Sequence, residues 1–313
     1  MTEVADGPAW TLLQGAVKGR NKKYTQDSWA ARKGIGGDGV LLVVADGHGS
    51  KAHYRSDLGS RWAVEAFIAC AEVLAQDVAR RGGDESHWPA VLAAARGLPQ
   101  QIVHHWRHRV AMFEANSPAD GTWPRARGAG LDTIPYGSTL VGAIVVGRLL
   151  LCWKLGDGDI VLVDETGEPF VPLYDGPELG DEADSLCQAE AWRQMRIHWQ
   201  RLPADRHTAV LISTDGLSKS FTDHSGFVSF AEGLRDRARD QGLDVVQGQL
   251  ASWLERAASF SGDDSTLVGA FPSERYAPTA DAGRDRPAPA QPSDRPGRQP
   301  DPPHQLDTEG TTS

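Results

Sequence analysis

Cysteine is scarce in this chain of 313 residues: Cys70, Cys152 and Cys187 are the only three, and no two form a CxxC pair. That excludes a disulfide framework and a zinc ribbon, and the expectation is a reducing cytoplasm. Long apolar runs are also missing. The longest, Leu140 to Val146 and Leu149 to Trp153, have the length of strands and are separated by Gly147 and Arg148, so no membrane-spanning helix is expected. Met1 to Pro8 is polar and acidic without an apolar centre, which argues against a secretory signal. Positive charge is short as well, with 32 Lys and Arg against 42 Asp and Glu and a net charge of −10. A nucleic-acid binder needs the opposite balance. An enzyme acting on phosphate does not, because carboxylates that hold cations are neutralised by them. Finally, no GxSxG elbow and no cysteine–histidine pairing points to covalent catalysis.

What is present divides the chain into a lead-in over residues 1–10, one domain over 11–272 and a tail over 273–313. The tail holds eight prolines and almost no large apolar residues, so it cannot bury enough surface to offset its ordering entropy. Within the domain, runs rich in Val, Leu and Ile read as strands at 40–45, 138–146, 149–154, 160–164, 208–213 and 266–271. Gly147-Arg148 between two of them predicts a tight hairpin. Trp62, Ala66, Ala69, Cys70, Val73 and Leu74 recur at the spacing of a buried helix face. Further helices are expected over 88–115, with a break at Gly97-Leu98-Pro99, and over 227–239 and 245–258. Adjacent strands with short links favour antiparallel sheets with helices on the outer faces, an α+β layered architecture.

The chemistry is concentrated at strand ends. Thr25-Gln26-Asp27-Ser28 comes first. Val43-Val44-Ala45-Asp46-Gly47-His48-Gly49 and Ile212-Ser213-Thr214-Asp215-Gly216-Leu217 each run an apolar strand into Asp-Gly, and Gly262-Asp263-Asp264-Ser265-Thr266 precedes the last strand. A strand end fixes a carboxylate on a rigid edge, and hard cations such as magnesium and manganese take carboxylate and carbonyl oxygens. Two such ions can activate a shared water and offset the charge of a phosphoryl group. A single Asp-Gly is usually only a turn; four acidic marks in this order are a site.

In this order the motifs QDS, VVADGHG, GSTL, LGDGDIVLV, STDGL and DDSTLVGAF resemble the type 2C metal-dependent serine/threonine protein phosphatases, and RSDLGSRWAVEAF resembles a bacterial branch. The likeness implies two stacked antiparallel β-sheets flanked by helix pairs, a four-layer αββα fold. It implies two Mn2+ or Mg2+ ions per active site, with Asp46 bridging both, the Gly47 carbonyl ligating one, and Asp215 and Asp263 completing the other's shell. Asp27 would orient metal-bound water. Gln26 stands where the family usually has a glutamate, so its ligand would carry no charge. Asp157 matches a position that can hold a third metal, whose partner carboxylate would fall at Lys219. Arg20 or Lys22 would grip the substrate phosphate, the arginine fork suiting two oxygens better. His48 would protonate the leaving oxygen or hydrogen-bond metal-bound water.

The implied function is hydrolysis of phosphoserine and phosphothreonine in proteins by a metal-bridging hydroxide. Partners would be phosphoprotein substrates and a bacterial serine/threonine kinase system, with neither nucleic acid nor membrane, and the chain a monomer in the cytoplasm. Gln26 and Lys219 keep a second reading in play, a catalytically weak phospho-binding or sensing module, and a small-molecule phosphatase is a third. The segment from Tyr174 to Arg201 falls where the family inserts a variable flap. It is expected either to help select substrates or to pack as an extra helix. Gly34-Ile35-Gly36-Gly37-Asp38-Gly39 fits a dinucleotide pattern, but a strand follows it, so it reads as a hairpin turn. His104 and His108, one helical turn apart, read as a solvated face rather than a metal site.

Overall fold

The computed structural model describes residues 9–81, 85–116, 131–165, 167–174 and 184–276. Nine strands lie within them: β1 (Trp10–Val17), β2 (Ser28–Ile35), β3 (Gly39–Ala45), β4 (Leu140–Val146), β5 (Leu149–Leu155), β6 (Asp159–Val163), β7 (Arg196–Arg201), β8 (Ala209–Ser213) and β9 (Ser265–Pro272). The helices are α1 (Ser56–Arg80), α2 (Trp88–Asn116), the short α3 (Asp215–Ser218), α4 (His224–Gln241) and α5 (Leu243–Ser261).

Every residue of β3, β4, β5, β8 and β9 is buried, so these strands must be covered on both faces. Two antiparallel sheets do this, in the orders β1-β9-β8-β6 and β2-β3-β4-β5-β7. Alternation along each strand sorts side chains between layers. From β3, Val40, Leu42 and Val44 enter the core between the sheets with Val210, Ile212, Val268 and Ala270. Leu41 and Val43 instead meet α1 and α2, and on the other side Leu211, Leu267 and Phe271 meet α4 and α5. The result is the four-layer αββα arrangement that the motifs imply.

The Gly147-Arg148 hairpin forms as expected, with Val146 opposite Leu149. The glycine-rich segment turns between β2 and β3, where Gly36 and Gly37 take positive φ. Three strands escape the sequence reading, β1, β2 and β7, and all three lie at sheet edges. On α1, Ala69 and Val73 face solvent, Val73 at 64% exposure, while Ala63, Phe67 and Ala71 complete the buried face instead.

The break expected at Gly97-Leu98-Pro99 does not occur, and α2 runs through it. Proline at 99 cannot donate to the carbonyl of Ala95. The Trp153 indole Nε1–H reaches that carbonyl from β5 at 3.1 Å and fills the gap. Of the two readings of the segment from Tyr174 to Arg201, the described later half favours the packed one, with a strand in place of an extra helix. Residues 175–183 lie outside the described residues. The later half belongs to the body of the fold: Leu186, Cys187, Ala191 and Met195 are buried against α2, and Arg196–Arg201 adds β7 to β5. Trp199 meets Trp88 edge-on at 5.9 Å.

The domain also extends slightly past the expected boundary. The Ser273 N–H donates to Ala9 O at 2.6 Å, and Tyr276 is buried edge-on against Phe271 at 5.0 Å. The tail beyond Tyr276 lies outside the described residues. All three cysteines are buried and free. No described helix is long and apolar enough to cross a membrane.

Trp153→Phe strands a buried carbonyl as well as removing volume, so we expect it to cost about 1–3 kcal/mol in urea unfolding beyond the cavity effect. In a Pro99→Ala background the restored amide should recover that increment. Equal losses in the two backgrounds would show that the indole hydrogen bond does not compensate the proline.

Candidate metal centre

Antiparallel pairing decides where the acidic residues meet. Ser28 opens β2 opposite Ala45 at the end of β3, which brings Asp27 beside Asp46. Ser213 closes β8 opposite Leu267 near the start of β9, which brings Asp215 beside Asp263 and Asp264. The two sheets stack, so these ends share one rim. There Asp46, Asp215 and Asp263 each offer a carboxylate oxygen, all within 4.8 Å of one another.

Backbone contacts hold each acid in place. Thr139, in the GSTL motif, staples Asp46 from both sides: its hydroxyl accepts from the Asp46 N–H at 3.0 Å, and its own N–H donates to Asp46 O at 2.8 Å. Gly47 has no room for a side chain, since a Cβ would fall 2.6 Å from Ser56 O and 2.9 Å from Gln26 O. Gly216 is tighter still, a Cβ there meeting Asp264 O. The second residue of each Asp-Gly pair therefore lets two chain segments touch behind the acid.

Asp27 is buried, with Oδ2 accepting from Thr214 Oγ1 at 2.8 Å and Thr266 Oγ1 at 2.6 Å. Its Oδ1 is buried without a hydrogen-bond partner, and so is Asp215 Oδ1. Such oxygens are rare unless something else satisfies them. Burial pushes the Asp27 carboxyl up to about 7, helped by the charges of Asp264 and Asp215 and opposed by the two threonine hydrogen bonds. Asp46 is held well above the carboxylate range by burial and by Asp27, Asp215 and Asp263. Burial and Asp157 raise Asp215 to about 6 against the pull of Lys219. A set of carboxylates that repel one another at a partly buried rim, with Asp27 and Asp215 each keeping an unpartnered oxygen, fits hard divalent cations.

The other predicted residues divide. Lys22 is drawn into the cluster, with Nζ on Asp263 and 3.3 Å from Asp264 Oδ2. Burial works against its charge, but Asp263, Asp46 and Asp264 more than offset that and raise its pKa. Arg20 is exposed and makes no hydrogen bond or ion pair with the described residues. His48 lies beside the acids, 4.9 Å from the ring of His53, and burial together with His53 pushes it down to about 4. It is neutral near pH 7, so its chemistry there is that of an imidazole and not an imidazolium. Gln26 is held through its amide nitrogen: Nε2 donates to His48 O at 2.9 Å and Ser56 Oγ at 2.6 Å. Asp157 is not one of the three clustered acids. Its Oδ2 accepts from Lys219 Nζ at 2.9 Å, and the same Nζ contacts Asp215 Oδ2. Burial would raise the Asp157 carboxyl, yet Lys219 holds it below the usual value.

Asp264, Thr139, Thr214 and Thr266 stand in the quoted motifs without a role in the sequence reading. Asp264 is buried, and its oxygens accept from the N–H of Gly19 at 2.7 Å and of Gln26 at 2.6 Å. It thereby ties the loop carrying Arg20 and Lys22 to the start of β9. The signal was an acid directly beside Asp263 and a Thr in each of three quoted motifs, but the partners appear only when the strands pair.

A rim of strand-end carboxylates on an αββα sandwich is a set of groups that could hold a divalent cation. A family model described as protein phosphatase 2C matches residues 14–255, and the chain belongs to that family. No curated protein matches it in sequence. Among solved structures it is similar to the serine/threonine phosphatase PstP/Ppp of Mycobacterium tuberculosis, at 19% identity and TM-score 0.52, over 84% of this chain and 98% of that one. The serine/threonine phosphatase of S. agalactiae aligns at 16% identity and TM-score 0.51, over 84% and 99%. A PstP catalytic domain in complex with two manganese ions aligns at 20% identity and TM-score 0.50, over 84% and 97%. At these identities the likeness establishes the shared fold.

Because Asp27, Asp46 and Asp215 hold protons more tightly folded than unfolded, the metal-free folded state binds more protons between about pH 4 and about 7. Their contribution to stability therefore falls as pH rises through that window. We expect manganese to raise the Tm of EDTA-treated protein more at pH 8 than at pH 5. Equal increments would show that these carboxylates are already ionised at pH 5.

Proposed function

We propose that the protein hydrolyses phosphoserine and phosphothreonine monoesters in proteins, using two divalent cations, Mn2+ or Mg2+. The observation that carries this reading is the meeting of Asp46, Asp215 and Asp263, from three separate strand ends, within 4.8 Å. Membership of the protein phosphatase 2C family supports it. Asp46, Asp215 and Asp263 would hold the cations, with the Gly47 carbonyl beside them. Bound cations supply an activated water and offset charge on the phosphoryl oxygens.

The protein's own groups do the rest. Asp27, pinned through one oxygen by Thr214 and Thr266, keeps its other oxygen unpartnered, to hold a proton or accept one from the attacking water. Arg20 grips the phosphate from the rim, on a loop anchored by Asp264, while Lys22 stays on Asp263 and Asp264. Neutral His48 donates an N–H towards the water or the leaving oxygen. Phosphoproteins made by a serine/threonine kinase are the substrates on this reading, and the chain works as a cytoplasmic monomer in signalling.

Asp46→Asn and Asp215→Asn each remove one charge from a site whose catalysis is mainly electrostatic. Each should lower manganese-dependent hydrolysis of p-nitrophenyl phosphate at least ~100-fold. A phosphopeptide panel then separates protein from small-molecule substrates. Wild-type rates in both variants would overturn the assignment. Phosphopeptide binding without turnover in the wild-type protein would instead support the phospho-binding module, which Lys219 and the uncharged Gln26 keep in view.

A further inference from the structure

Lys219 lies one helical turn after Asp215, and its N–H donates to Asp215 O at 2.7 Å. That turn sets where its side chain goes, because positions i and i+4 share a helix face. The ammonium consequently lies between Asp215 Oδ2 and Asp157 Oδ2, the second 2.9 Å away. Asp157 arrives from the link between β5 and β6, an element unrelated to α3. The contact is thus a junction of two structural units and not a chance surface pair. Asp263 is met in turn by Lys22 from the β1–β2 loop.

An oxygen pair gripping one ammonium is a pair that a hard divalent ion would otherwise take at about 2.1 Å. The two cations cannot share it. We propose that Lys219 sets the number of metal ions in this centre. Its tethered ammonium takes the place of a divalent ion between Asp157 and Asp215, so the ions are held on the Asp46, Asp215 and Asp263 side and Asp157 ligates none. The inference rests on the metal-dependent reading of the site. It also gives the lysine a role that a solvated surface pair would not have, since the cation at this flank is present at any metal concentration.

The test counts ions without substrate. Full-length protein is equilibrated by dialysis against manganese, and bound metal per chain is measured by atomic emission. Asp157→Asn should bind as many ions as the wild type. Lys219→Asp should bind one more per chain, and Asp157→Asn in the Lys219→Asp background should lose that extra ion. Loss of an ion from Asp157→Asn in the wild-type background would overturn the proposal, because Asp157 would then be a ligand beside Lys219. So would a Lys219→Asp protein with wild-type circular dichroism and melting that gains no ion. A wild-type protein that binds no manganese at all would overturn the metal-dependent reading itself, and this inference with it.

Discussion

Like charges brought together at a partly buried rim are the constraint around which the rest of this structure is arranged. Carboxylates 4.8 Å or less apart in a low-dielectric site cannot all ionise without a counter-charge. Nothing about the acids themselves would gather them. The gathering is done by two stacked sheets whose central strands are buried on both faces and whose antiparallel register is fixed from Ser28–Ala45 to Ser213–Leu267. Hydrophobic burial between the sheets and beneath the helices supplies the free energy that opposes the repulsion. The local devices are small by comparison: threonine hydroxyls on Asp27, a backbone staple on Asp46, and glycines where segments must touch.

The counter-charges within the protein are placed unevenly. Lys22 reaches Asp263 from a loop that Asp264 anchors, and Lys219 reaches Asp215 from the adjoining turn of helix. Asp46 has no ion pair of its own among the described residues, and its carboxyl is raised by burial and by Asp27, Asp215 and Asp263. The neutral Gln26 amide, turned towards His48 and Ser56, adds a brace to the rim without adding charge.

How much of this could be read from the sequence follows from where each residue gets its partners. The central strands show themselves because burial on two faces demands continuous Val, Leu and Ile. The edge strands β1, β2 and β7 are half-exposed and carry Gln14, Arg32, Lys33, Arg196 and Arg201, so no apolar run marks them. Proline misled at position 99 because the compensating donor, Trp153, lies 54 residues away on another layer. At the site, Asp46 and Asp215 were legible because an apolar strand running into Asp-Gly is a local pattern. Asp264 and the threonines were not, since their roles exist only after β8 lies beside β9. The Asp157–Lys219 contact likewise joins residues 62 apart, so only the fold shows that a cation fills the gap between two acids.

The long pairing of β1 with β9 carries one more consequence. Val17 faces Ser265 at the end where the acids converge, whereas Trp10 faces Pro272 at the other end, and Ala9 meets Ser273 just beyond. Eight paired residues separate the two, about 25 Å of strand. Both ends of the folded domain therefore leave side by side, on the edge remote from the metal centre. Any module joined before Trp10 or after Tyr276 would hang from the same point, as two cords from one hook.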